Sequence, residues 1–189
     1  MAQQDYFDAL AWATRLMTAV RPRHLDARTP CEDFDVRSLM GHLIGTAHRG
    51  LATARHLPTR EIPHVITDVP DAELAATYGA LSTSIREAWS PLAGADEVVP
   101  PWGPCTASEA ARGFTVETVT RGGDLAVATG QPSDAPNDIA DRCLPFADAV
   151  IPRGVSYDAP VVVAGAFSTT EQLAHLLGHK RTRTARGSR

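Results

Sequence analysis

DFDVRSLMGHLIGTAHRGLATARHL, Asp33 to Leu57, decides what kind of fold this chain adopts. Val36, Leu39, Met40, Leu43, Ala47 and Leu51 recur at steps of three and four, which is the signature of one face of an α-helix. Asp33 or Asp35 stands where a side-chain oxygen can cap the first turn, and the pattern breaks before Pro58. This is the longest and clearest periodic segment of the sequence. On its flank Gly41, Gly45 and Ala52 form a strip of small residues. Glycine inside a helix costs about 1 kcal/mol relative to alanine, so the strip predicts a second helix backbone in close approach.

The same periodicity extends outward on both sides. Tyr6 to Val20 carries Phe7, Leu10, Ala11, Leu16, Met17 and Val20 on one face, before the prolines of RPRHLDARTPC interrupt it. A third helix is predicted from about Asp71 to Trp89, with Leu74, Tyr78, Leu81, Ile85 and Trp89 inward and Pro70 near its start. GADEVVPPWGPCT is turn-rich with room for a short extended piece. A fourth helix follows, capped by Thr106 or Ser108 and ending near Gly130. Ile139 to Val150 reads as a fifth helix in spite of Pro145. TTEQLAHLLGH reads as a short sixth, with Thr169 or Thr170 as cap and Gly178 as stop. VSYDAPVVVAGAF, between them, is apolar and short, an extended segment laid on the bundle or part of a small strand pair.

Composition narrows the class without naming a function. At 189 residues, with 43% hydrophobic and 21% charged residues, the chain suits one soluble domain, predicted over 1–178. The remaining 179–189, HKRTRTARGSR, hold five Lys or Arg and almost nothing apolar, and are predicted to be a disordered tail. A net charge of -4 and no second basic face argue against nucleic acid as a partner. With no apolar run of transmembrane length and no basic-then-apolar leader, no membrane is expected and the location is predicted to be cytoplasmic, as monomer or homodimer. Cys31, Cys105 and Cys143 are odd in number and scattered, which fits reduced thiols.

The chemistry concentrates in VETVTRGGDLAVATG, Val116 to Gly130. Ala110, Phe114, Glu117, Arg121, Leu125 and Ala128 form one ridge of the fourth helix, so a carboxylate and a guanidinium share a stripe with side chains that should be buried. A buried lone charge is expensive. Glu117 therefore needs Arg121, an ion, another partner or water. The plainest reading is a helical ion pair four residues apart. The other is a ligand site between helices, which requires a histidine from a facing helix. His42, at the edge of the apolar stripe of the second helix, is the candidate. His48 and His56 point elsewhere, and His24, His64, His175 and His179 fall in loops or near the tail.

TPCEDFDVRSLMGHLIG (Thr29 to Gly45), VETVTRGGDLAVATGQP (Val116 to Pro132) and the closing TTEQLAHLLG together resemble the actinobacterial mycothiol-dependent maleylpyruvate isomerase-like family of the DinB/YfiT-like superfamily. The resemblance implies a mainly α, DinB-like up-and-down four-helix bundle, with extra C-terminal helices and a short extended segment. It also implies a divalent metal, zinc or nickel, and a low-molecular-weight thiol such as mycothiol as cofactors. By motif position His42 is the first metal ligand and Glu117 the second. The third family ligand is a histidine in a pattern close to E...HGWDLA, and Arg121 stands there, with Gly123 for the aromatic residue and Asp124 and Leu125 in register.

Arginine has no lone pair to give and stays protonated, so Arg121 opposes a cation where the family binds one. Three readings follow. The protein is a metal- and thiol-dependent isomerase or transferase in which His42 and Glu117 hold the ion, with Asp124 as a helper. Or it is a non-catalytic binding protein or sensor that takes a small anionic molecule in the Glu117 and Arg121 pocket, with Arg121 and Asp124 as the ligand-binding residues. Or Glu117 and Arg121 are a plain ion pair and the working surface lies elsewhere.

Overall fold

The computed structural model describes residues 1–150, 160–161 and 168–179, with the backbone alone at 148–150. Its helices are α1 (Ala2–Ala19), α2 (Val36–Ala54), α3 (Leu74–Trp89), α4 (Ala107–Thr129), α5 (Ile139–Val150) and α6 (Thr169–Leu176). Two short strands, β1 (Glu97–Val98) and β2 (Cys105–Thr106), pair antiparallel ahead of α4. The chain is mainly helical, as the periodicity requires. α1 and α2 each pack on both α3 and α4, so they take opposite corners of a four-helix, DinB-like bundle, while α5 and α6 pack on each other and on α4.

Local chemistry sets the helix ends. Asp35 accepts from the Ser38 N–H at the start of α2, and Thr106 and Glu109 close a reciprocal capping box at the start of α4. Gly130 ends α4 in the left-handed conformation, φ 70°. α6 is capped by Ser168 through its own box with Glu171, not by Thr169 or Thr170 as the sequence implied. Thr170 instead accepts from the Ala135 N–H, tying α6 to the connection that follows α4. α4, at 23 residues, and not α2, at 19, is the longest helix.

At the centre Tyr6, Trp89 and Phe114 pack ring on ring, with centroids 5.5 Å apart for Tyr6 and Trp89 and 5.6 Å for Tyr6 and Phe114. The Trp89 indole N–H donates to the Gly50 carbonyl at 2.9 Å, so the polar edge of the largest core side chain is satisfied. A second apolar cluster joins Val116 and Val119 of α4 to Ile139, Ala140, Cys143, Leu173 and Leu177. α4 is therefore buried on two sides. Arg142 clamps α5 to α1 through both carboxylate oxygens of Asp5, at 2.8 and 3.0 Å.

The small-residue strip of α2 does serve close approach, but to a loop and not to a helix. A Cβ at Gly41 would collide with the Ile66 carbonyl, and one at Gly45 would stand 2.9 Å from the Pro63 carbonyl. The backbone of residues 63–66 thus lies directly on α2, secured by the Ile66 N–H on the Gly41 carbonyl at 3.1 Å. Helix-to-helix approach occurs instead at Gly50, under the Tyr6 phenol, and at Gly122, under the Trp12 ring. Most of the segment Val155 to Phe167, and the tail beyond His179, lie outside the described residues.

Gly41→Ala should therefore cost about 1–3 kcal/mol in denaturant melts, because the collision is with backbone that cannot rotate away. Gly79→Ala is the control. Its Cβ would meet only Thr14 Cγ2 at 3.5 Å, and the helix gains about 0.5–1 kcal/mol from losing a glycine.

Candidate functional site

The loop over Gly41 and Gly45 delivers the first contact of the site. His42, 2% exposed, points its Nδ1 at the carbonyl of His64 at 3.1 Å, and that bond turns its Nε2 toward α4. There Nε2 meets Glu117 Oε1 at 2.7 Å. The carbonyl only accepts and the ionised carboxylate only accepts, so one proton is shared between His42 Nε2 and Glu117. One turn further along α4, Arg121 Nε donates to the same oxygen at 3.2 Å, and Arg121 Nη1 donates to Cys31 Sγ at 3.0 Å.

Aromatic rings close the outer side. Phe34 stacks on His42 with centroids 5.1 Å apart, His64 tilts against His42 at 4.4 Å, and the Arg121 guanidinium carbon lies 5.6 Å from the centre of the Phe34 ring. Arg49, one helical step on from Gly45, is held by the Pro63 carbonyl at 2.9 Å and attracted by Glu117. Two guanidinium groups thus face one carboxylate. Arg121 is 7% exposed, while Cys31 and Glu117 are half-buried and His64 is open to solvent.

These surroundings bias the titrating groups. Although His64 as a residue is open to solvent, partial desolvation of its ring lowers its pKa, and the positive charge of His42, Arg49 and Arg121 adds to that, with Glu117 pulling the other way. Burial raises the pKa of the Cys31 thiol, and Asp124 adds to the rise. Arg121 is the largest opposing influence, so Cys31 is held here as a thiol and hydrogen-bond acceptor.

Of the residues singled out in the sequence, His42, Glu117 and Arg121 come together. Asp124, three residues beyond Arg121 and seven beyond Glu117 on the same face of α4, is 0% exposed, and its Oδ2 sits 2.5 Å from His179 Nδ1. His179, assigned by composition to the tail, is buried against Asp124 of α4, with its backbone N–H on the Ala174 carbonyl at 2.9 Å. Sequence reasoning also passed over His64, Phe34, Cys31 and Arg49. His64 offered no periodic signal, since it contributes through a backbone carbonyl and a ring edge in a loop. Cys31 and Phe34 sat within the quoted TPCEDFD motif but carried no recognisable spacing. Among the described residues, no three His, Cys, Asp or Glu side chains are placed to share one ion.

The four-helix bundle, in which His42 of α2 meets Glu117 of α4, has a DinB-like fold. The model of the mycothiol maleylpyruvate isomerase N-terminal domain matches residues 7–126, more than half of the chain, and the chain belongs to this family. No curated protein and no solved structure matches it. α5, α6 and His179 follow the matched region.

Removing either partner of the buried pair should be costly. His179→Ala is expected to lower stability by about 3 kcal/mol in urea melts, because the Asp124 carboxylate is then left in the interior without that partner. On the open side, a folded-state pKa below that of the unfolded chain means that stability attributable to His64 is complete above about pH 6.5 and falls as the pH drops through that value. His48, lowered first by burial, acts in the same sense. Melts between pH 7 and pH 5 should show a midpoint that declines, and His64→Gln should flatten the decline.

Proposed function

We propose that this family member is a binding protein for a small anionic molecule, typically a carboxylate, with Arg121 supplying the positive charge that a divalent ion supplies in its family's metal site. The observation that carries the reading is the pair of bonds from Arg121 to Glu117 Oε1 and Cys31 Sγ, which fixes a guanidinium at the third ligand position. A guanidinium cannot ligate, and its charge opposes a neighbouring cation. The donor set present therefore does not fit a three-ligand zinc or nickel site. Arg49 and Arg121 together outweigh Glu117 by one charge, which favours an anion. His42 and Glu117 act in this reading as the frame that holds Arg121, and Asp124, one turn on, holds His179 against α4.

Metal analysis of the purified protein, paired with calorimetric titration of acetate, propionate and pyruvate, tests the reading. Zinc or nickel well below one equivalent is expected for two donors where a zinc site takes three or four, with at least one of these carboxylates bound. Arg121→Gln should weaken that binding by about tenfold or more, the usual weight of a charge-assisted hydrogen bond. Stoichiometric metal that disappears in His42→Ala would overturn the proposal.

A second reading has one observation in its favour. The His64 carbonyl holds His42 Nδ1 so that Nε2 faces Glu117, which is how metal-binding histidines are usually oriented. On that reading the protein is a thiol-dependent isomerase or transferase, and Arg121 orients an acidic substrate. It requires turnover with a low-molecular-weight thiol that a chelator abolishes.

A further inference from the structure

The hairpin ahead of α4 carries an unusual side chain. β1 and β2 pair through Glu97 with Thr106 and Val98 with Cys105, leaving VPPWGP, residues 99–104, as the tip. Three prolines restrict that tip, and the Gly103 N–H returns to the Pro100 carbonyl at 3.0 Å. Gly103 itself sits at φ +116°, a conformation that side chains rarely allow. The turn so fixed presents Trp102.

Trp12 and Trp89 are 6% and 0% exposed, whereas Trp102 is 52% exposed. It is nevertheless held in place. Its ring lies over Gly113 of α4, where a Cβ would come within 2.7 Å of Cζ2, and its centroid is 5.0 Å from that of Phe114. Its indole N–H lies by the Cys105 thiol. A rigid, half-open indole on a proline-braced turn is an aromatic surface ordered in advance, which lowers the entropy cost of stacking a ligand on it.

Its place along α4 gives that surface a use. Gly113, Glu117 and Arg121 follow one another at intervals of four residues, so they share one face of the helix. The indole stands one turn before Glu117 and the guanidinium one turn after it. Eight residues of helix span about 12 Å between Cα positions, and side chains leaning together shorten the reach.

We propose that Trp102 is the specificity-determining wall of the anion site, and that the preferred ligands are aromatic carboxylates with a short spacer, the ring stacked on Trp102 and the carboxylate at Arg121. This rests on the reading of Arg121 as the anion-binding group and adds the class of molecule that the site selects. Gly113 is part of the device, because a side chain there would push the indole off α4.

The test compares propionate with 3-phenylpropionate and cyclohexanepropionate on the full chain, by calorimetry and by tryptophan emission. With Trp12 and Trp89 buried, a change in emission on binding reports Trp102, and Trp102→Phe identifies it. The expected result is 3-phenylpropionate binding about tenfold tighter than propionate, the size of one aromatic stacking contact. Cyclohexanepropionate should fall between them. Trp102→Ala should erase the preference, so that 3-phenylpropionate binds no tighter than propionate to the same variant, and Trp102→Phe should restore part of it.

Equal affinity for propionate and 3-phenylpropionate, or a preference that survives Trp102→Ala, overturns the aromatic wall and leaves the anion site standing. If none of the three acids binds, the anion site itself fails and this inference with it. Circular dichroism of each variant separates loss of the contact from loss of the fold.

Discussion

Glu117 Oε1 receives a hydrogen bond from Arg121 of its own helix and shares a proton with His42 of the facing one. Most of the site can be traced from that oxygen. Through His42 it reaches the His64 carbonyl and the loop on α2, and through Arg121 it reaches Cys31 and Phe34, ahead of α2. A charged carboxylate at the junction of two helices survives only because donors surround it, so the elements that supply those donors are fixed in position by the same requirement. The bundle brings the helices together, and the polar cluster sets how they meet at this end.

The substitution of arginine for a ligating side chain changes the character of such a junction. A divalent ion attracts several lone pairs at short range and leaves open positions for a thiol or water. A guanidinium offers planar donors, keeps a single charge, and cannot lower the pKa of a group bound to it as an ion does. With Arg49 close by, two guanidinium groups face the one carboxylate of Glu117 in this cluster. Cys31 bonded to Arg121 gives it one more polar contact without adding a charge, since burial keeps the thiol protonated.

α4 shows why the site lies where it does. One side of it faces the aromatic core through Phe114, another faces α5 and α6 through Val116 and Val119, and the side between carries Gly113, Glu117 and Arg121 toward α2. Asp124, one turn beyond Arg121 on the same face, is buried with His179, and that pair steadies the element that presents Arg121. A helix packed on so many neighbours has little freedom to shift. Its polar face is correspondingly well ordered for recognition.

The sequence by itself determined the helices and the ends of α2 and α4, though not the cap of α6, because periods of three and four residues and the local pull of Asp35, Thr106 and Gly130 act within a few residues of chain. It also determined that Glu117 and Arg121 would meet, and motif position alone brought His42 to them. It assigned the glycine strip of α2 to a helix partner, left His179 in a tail, and gave no role to His64 or Trp102. Each of those depends on chain segments far apart in sequence that only folding brings together. A loop carbonyl aiming an imidazole, an aspartate waiting for a histidine 55 residues on, and an indole seated on a distant glycine leave no local period to read. Tertiary structure alone decided them, since the free energy that fixes each lies in a contact and not in the residue that makes it.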